Sequence, residues 1–165
     1  MFTELRQQLG GLLAGERDGL ANCANLTALI HESLPELNWV GFYFARGEEL
    51  VLGPFQGRVA CVRIPLGKGV CGTAAERRET LVVPDVHQFP GHIACDAASR
   101  SEIVVPLQRA GRILGVLDLD SPQPDRFDQE DAEGLGALVQ LLVEGSDFSG
   151  LVADQRDPAR TGLGL

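Results

Sequence analysis

Two apolar runs, residues 102–107 and 112–119, are joined by only Gln108-Arg109-Ala110-Gly111. Read with a period of two, they are the strands of one β-hairpin, because so short a connection allows only an antiparallel return. That hairpin constrains everything around it. The rest of the chain must extend the sheet at its edges and cover it with helices. In the second run Ile113, Gly115, Leu117 and Leu119 alternate with Leu114, Val116, Asp118 and Asp120. Asp118 therefore interrupts an apolar run, and Asp120 follows it on the same face.

The other segments fit such a sheet. Residues 37–44 read as a strand with Trp39, Gly41 and Tyr43 on one face and Val40, Phe42 and Phe44 on the other. The Val/Phe side suits a core. Trp39 and Tyr43 suit the walls of a pocket, with Gly41 leaving room between them. Residues 50–53, 59–64 and 80–83 are further strands. In the second of these, Cys61, Arg63 and Pro65 oppose Val62 and Ile64.

Helical spacing recurs at Leu5, Leu9, Leu12 and Leu13, weakened by Gly10-Gly11. It recurs over residues 20–34, where Leu26, Leu29, Ile30 and Leu34 form a stripe that Pro35 ends, and where Cys23 reads as packing. Residues 69–77 form a short helix. An acidic stretch from Asp125 caps a last helix running to about Glu144, with Leu135, Leu138, Val139 and Leu142 inward. Residues 84–99 are irregular, and a loop of that length holding Phe89, Ile93 and Cys95 is expected to be functional. The predicted class is α+β, an antiparallel sheet flanked by helices. Residues 1–145 make one domain. Residues 146–165 make a partly flexible extension in which Phe148, Leu151 and Val152 dock weakly and the last ten residues fray.

Charge and length exclude several functions. The chain has 165 residues and a net charge of −9, and no Lys/Arg cluster offsets that charge against a nucleic-acid backbone. No run is long enough to span a bilayer, and the first residues lack the pattern of a secretory signal. The expected location is the cytoplasm. There, four cysteines are reduced or catalytic thiols rather than a disulfide scaffold.

Three of them, Cys61, Cys71 and Cys95, lie in or beside loops. Cys95 ends the long irregular stretch near His87 and His92, as a thiol nucleophile with nearby imidazoles would. A metal centre built from these cysteines and a histidine remains an alternative, although no close Cys pair has common zinc spacing. Gly67-Lys68-Gly69 is not a Walker loop, since the upstream glycine and the Ser/Thr are missing. It is either a structural turn or a close approach to a helix start whose N–H groups hold an anion such as a substrate carboxylate. Glu102, Asp118 and Asp120 are either solvent-facing strand ends or a carboxylate cluster. Such a cluster binds an ammonium, under the ring face of Trp39, and keeps one proton near neutral pH.

These residues occur in a recognisable series. Leu37-Asn38-Trp39-Val40-Gly41-Phe42-Tyr43 is followed by Gly67-Lys68-Gly69-Val70-Cys71-Gly72-Thr73-Ala74 and Asp85-Val86-His87. Then come Phe89-Pro90-Gly91-His92-Ile93-Ala94-Cys95-Asp96, Ser99-Arg100-Ser101-Glu102-Ile103-Val104-Val105-Pro106 and Leu114-Gly115-Val116-Leu117-Asp118-Leu119-Asp120-Ser121. Over residues 20–144 the chain resembles the free methionine-(R)-sulfoxide reductases, small GAF-domain enzymes. The cysteine separations of ten and twenty-four residues make the resemblance specific. It implies a GAF fold and free L-methionine-(R)-sulfoxide as substrate. Cys95 is then the catalytic cysteine, Cys61 the main resolving cysteine, so that the expected disulfide is Cys61–Cys95, and Cys71 a relay or substitute. It further implies Trp39 and Tyr43 as pocket walls and Glu102, Asp118 and Asp120 as substrate-binding acids. No metal or flavin is implied. Thioredoxin is the implied reductant, and a homodimer is an assembly the family allows. A non-enzymatic GAF sensor of small ligands is the competing reading.

Overall fold

The computed structural model describes residues 1–153. In chain order the elements are α1 (Phe2–Leu13), α2 (Gly19–Ser33), β1 (Trp39–Arg46), β2 (Glu49–Gly57), β3 (Arg63–Pro65), α3 (Gly69–Arg77), β4 (Leu81–Val83), β5 (Ser101–Arg109), β6 (Arg112–Ser121) and α4 (Gln129–Gly145). The strands form one six-stranded sheet in the order β3-β2-β1-β6-β5-β4, antiparallel throughout. The expected α+β, GAF-like architecture is the one observed.

Strand alternation divides the sheet into two faces. Val40, Phe42 and Phe44 of β1, Ile103, Val105 and Leu107 of β5, and Leu117 and Leu119 of β6 point to one side. There they meet Leu5 and Leu9 of α1, Cys23, Leu26 and Ile30 of α2, and Leu135, Leu138 and Leu142 of α4. Burial of these apolar side chains supplies most of the drive to fold. The opposite face carries Trp39, Tyr43, Val104 and Val116 beneath α3 and its Val70, Cys71, Ala74 and Ala75.

Helix ends follow local chemistry. The Asp18 carboxylate caps α2 by accepting from Ala21 N–H at 2.9 Å. Asp128 and Asp131 exchange side-chain and backbone bonds in a capping box at the start of α4. α1 runs unbroken through Gly10-Gly11, both exposed, because Leu5 and Leu9 bury against the core and outweigh the glycine penalty. No helix among the described residues is long and apolar enough to cross a membrane.

Two expectations need correction. Residues 59–64 do not form a strand; only Arg63–Pro65 pair with β2. Val62 is not opposite Cys61 in a buried ladder but 59 % exposed, and Val59 is 88 % exposed, while Ile64 is buried. The carbonyls of this segment are instead occupied from below. Trp39 Nε1–H donates to Arg58 O at 3.1 Å, Tyr43 Oη–H to Cys61 O at 2.9 Å and Leu52 N–H to Val62 O at 2.9 Å. At Arg58 and Cys61 side-chain donors stand where a strand partner would, while β2 still reaches Val62 through the Leu52 amide. The second correction is to β2, which continues past Gly53 to Gly57. Between Gly41 and Tyr43 its register with β1 shifts, so that Gly53-Pro54 bulges, as a proline within a strand requires.

Beyond Gly145 the chain turns back onto the core. Phe148 is buried, Gly19 N–H donates to Asp147 O at 3.0 Å, and Arg109 Nη2 donates to Ser146 O at 2.9 Å. The ten residues expected to fray lie outside the described residues.

Candidate active site

Sheet register assembles the acids. Glu102 of β5 stands opposite Asp120 of β6, and Trp39 of β1 stands opposite Asp120 on the other side. Asp118 pairs with Gly41 and with Val104. Three adjacent strands thus project Glu102, Asp118, Asp120, Trp39 and Tyr43 to one face, where they line a small cavity. The missing side chain of Gly41 makes room there. A Cβ at that position would lie 2.5 Å from Phe55 Cβ and 2.5 Å from the Trp39 ring. The Trp39 ring stacks on Phe55 at 5.4 Å between centroids, which fixes its face toward the cavity.

α3 closes a second side. Gly69, Val70 and Cys71 of its first turn line the cavity, and no side chain caps that end. Gly69 has φ +61°, a left-handed conformation suited to glycine, and the Ile93 side chain lies 3.1 Å from where its Cβ would be. The uncapped first turn of α3 thus lies at this wall of the cavity, where a helix start can favour an anion.

The irregular segment covers the third side with His92, Ile93, Cys95, Asp96 and Ser99. Cys95 is disulfide-bonded to Cys61, with Cα atoms 5.6 Å apart. Both cysteines are half-buried. Cys23 and Cys71 are free and buried. His92 lies with Nε2 3.7 Å from Glu102 Oε2, while His87 points away and bonds Asp85 at 3.2 Å. The metal set weighed from the sequence therefore does not assemble, since Cys61 and Cys95 bind each other and His87 lies outside. Among the described residues the one compact donor group is Cys71, Glu102 and Asp118, whose atoms lie within 4.8 Å of one another.

Burial sets the protonation of this cluster. It pushes Glu102 well above the usual carboxylate range, and the charges of Asp118 and Asp120 push it further. Asp118 is raised by burial to about 6, with hydrogen bonds from Glu102 and Cys71 holding it down. Burial and then the neighbouring acids also raise Asp120. Burial and neighbouring charge thus favour the protonated forms of Glu102 and Asp120, while Asp118, held down by hydrogen bonds, is the most readily ionised of the three. The Cys71 thiol, 3.9 Å from Glu102 Oε1, is pushed well up by burial and the same acids. Burial lowers His92, so its imidazole is neutral at pH 7. Two buried side-chain oxygens among the described residues have no hydrogen-bond partner, Asn38 Oδ1 and, within the acid cluster, Asp118 Oδ1. A buried carboxylate oxygen without a donor is placed for a cationic ligand.

Sequence reading overlooked Asn38. Its Nδ2 donates to Asp96 Oδ2 and to Ser99 Oγ, each at 3.1 Å, tying the Cys95 segment to the start of β1. The available signal was a polar residue between Leu37 and Trp39 in an otherwise apolar strand.

Comparison with known proteins agrees with this geometry. Residues 24–144 match the model of the GAF domain. The free methionine-R-sulfoxide reductase of Escherichia coli is 53 % identical over 141 residues, covering 86 % of each chain. That of Saccharomyces cerevisiae is 48 % identical over 156 residues, covering 90 % of this chain and 87 % of its own. The X-ray structure of free methionine-R-sulfoxide reductase from Neisseria meningitidis in complex with its substrate superposes with a TM-score of 0.85 at 48 % identity, covering 87 % of both chains. The chain belongs to the free methionine-(R)-sulfoxide reductase family of GAF-domain proteins.

Proposed function

We propose that this protein reduces free L-methionine-(R)-sulfoxide to methionine, with Cys95 as nucleophile and Cys61 as resolving cysteine. The observation that carries this reading is a single cavity bounded by the Cys61–Cys95 disulfide, the buried Glu102 and Asp118, the half-buried Asp120 and the Trp39 ring. The substrate ammonium takes the unpartnered oxygen of Asp118, beside Asp120 and under the Trp39 ring. The substrate carboxylate takes the uncapped start of α3. Both charges belong to a free amino acid, whereas a residue within a protein carries peptide groups there. The buried acids would then lose their ammonium, which disfavours the protein-bound substrate.

The chemistry proceeds in balanced steps. The Cys95 thiolate attacks the sulfoxide sulfur while Glu102 protonates the oxygen. The S–S bond formed by this attack and the original S–O bond then break as the hydroxyl passes to the Cys95 sulfur, so methionine leaves as the thioether and Cys95 is left as sulfenic acid. The Cys61 thiol displaces it as water, forming the Cys61–Cys95 disulfide. An external dithiol, thioredoxin in this reading, reduces that disulfide and is itself oxidised. Cys71 is the reserve thiol for this exchange, kept protonated by burial and by the acids around it. A recyclable disulfide beside the free thiols of Cys23 and Cys71 fits a reducing compartment, the cytoplasm.

The test is thioredoxin-coupled turnover on the separate R and S diastereomers of free methionine sulfoxide. The expected result is turnover of R alone, lost in Cys95→Ser. Binding of methionine sulfoxide without turnover by fully reduced, folded protein would favour a ligand sensor and defeat the proposal.

A further inference from the structure

The surface around the disulfide is unlike the rest of the molecule. Val59, Val62 and Ile93, each within two residues of Cys61 or Cys95, are 88 %, 59 % and 37 % exposed. They account for three of the seven large apolar side chains that stand exposed among the described residues. Scattered singly, such residues need no explanation, but gathered beside a half-buried disulfide they mark a contact surface.

Charge distinguishes the same place. The chain carries −9 in all, yet residues 58–68 contain Arg58, Arg63 and Lys68 and no acid. All three cations are exposed, and Arg63 also pairs with Glu49 across the β2–β3 edge. The segment is held rigidly from beneath through the carbonyls of Arg58, Cys61 and Val62. Its carbonyls are therefore engaged inward while Val62 is presented outward and the exposed Val59 stands at the mouth of the cavity. Presenting apolar side chains on a pinned backbone lowers the ordering cost of docking.

We propose that Val59, Val62 and Ile93, rimmed by Arg58 and Lys68, are the docking surface for a small dithiol protein with an apolar active-site face and an acidic rim. The inference rests on the reductase reading. It adds where the reductant binds and what its surface must be like. A disulfide at this position must be opened by an incoming thiolate, which attacks one sulfur and breaks the Cys61–Cys95 bond. A mixed disulfide forms, and the released cysteine thiolate takes a proton. The partner's second thiol then displaces the remaining cysteine, so the partner leaves as a disulfide and both cysteines leave as thiols. A macromolecule doing this must touch the side chains beside the bond. The charge difference between this rim and the rest of the chain steers an acidic partner here.

The experiment compares two reductants on the full chain, reduced thioredoxin and dithiothreitol, in the parent and in Val62→Asp and Arg58→Glu made separately. Val62 and the Arg58 side chain lie outside the substrate cavity. Reduction of the Cys61–Cys95 bond is followed by thiol titration, so the readout does not depend on sulfoxide turnover. Failure of the parent to turn over methionine sulfoxide with dithiothreitol would count against the reductase reading separately. The expected result is a fall of about tenfold or more in the thioredoxin rate constant for each variant, with dithiothreitol rates unchanged. Added salt should slow the thioredoxin step in the parent and less so in Arg58→Glu. Thioredoxin rates within twofold of the parent in both variants would overturn the proposal. So would equal losses with both reductants, which would show general damage to the site rather than a docking surface.

Discussion

Tyr43 Oη–H donates to the carbonyl oxygen of Cys61 at 2.9 Å, so a wall of the cavity also fixes the segment that carries one disulfide sulfur. Tyr43→Phe removes the donor and leaves a part-buried carbonyl without it, at a cost of about 1–3 kcal/mol. The expected outcome is slower closure of the Cys61–Cys95 disulfide after one turnover, by roughly tenfold, with a small change in substrate KM. Quenched-flow alkylation and mass spectrometry measure the closure. An unchanged closure rate beside a raised KM would confine Tyr43 to substrate contact.

Glu102 and Asp118 should separate kinetically. Glu102→Gln removes the proton held for the sulfoxide oxygen, and kcat should fall about 10²–10⁴-fold. Asp118→Asn removes a charge facing the ammonium, and its main effect should be on KM. Steady-state kinetics on the R diastereomer decides. A larger kcat loss in Asp118→Asn than in Glu102→Gln would reverse the two roles.

The buried acids also impose a pH dependence on stability. Burial raises Asp118 from 3.8 to about 6, and Glu102 and Asp120 also move upward. Between the unfolded and folded values the folded chain binds more protons than the unfolded one. The stabilising contribution is therefore complete below pH 3.8 and is lost as pH rises through about 6. For Asp118 alone this amounts to roughly 3 kcal/mol. Asp85 and Asp147, lowered by hydrogen bonds from His87 and Ser149, act in the opposite sense at the acid end. Without substrate, Tm should fall between pH 4 and pH 7, and Asp118→Asn should flatten that fall. A Tm that rises over this interval would show that the acids are not strained by burial.

Gly41→Ala tests the shape of the cavity. The added Cβ, 2.5 Å from both Phe55 Cβ and the Trp39 ring, forces the indole out of its stack. Such overpacking costs about 1–3 kcal/mol. A lower urea midpoint together with a raised KM is expected. An unchanged KM would mean that the indole face does not contact substrate.

Much of this arrangement was legible in the sequence, for identifiable reasons. Strand period placed Trp39, Gly41 and Tyr43 on one face and Asp118 with Asp120 on another strand's matching face, because a period of two survives any register. α3 matched its expected span, residues 69–77, since glycines bound its start and Arg78 ends it in a left-handed conformation. Residues 59–64 misled because their alternation suits a strand. The carbonyls of Arg58, just before them, and of Cys61 are taken by Trp39 and Tyr43, which are distant in sequence, and pattern reading detects no such partners. Asn38 escaped for the same reason, since its role depends on Asp96 and Ser99 across 58 and 61 positions.

The two halves of the site rest on unequal foundations. Glu102 and Asp118 sit on β5 and β6, strands paired on both sides, while Cys61 and Cys95 sit in segments outside any strand. Amides of interior strands exchange with solvent only when the whole domain opens, whereas irregular segments exchange through small local fluctuations. Deuterium uptake should therefore divide this one cavity into a slow acidic floor and a fast sulfur-bearing roof. A floor of that kind holds its shape like a printed circuit, and the parts of the site free to shift are the two sulfur-bearing segments.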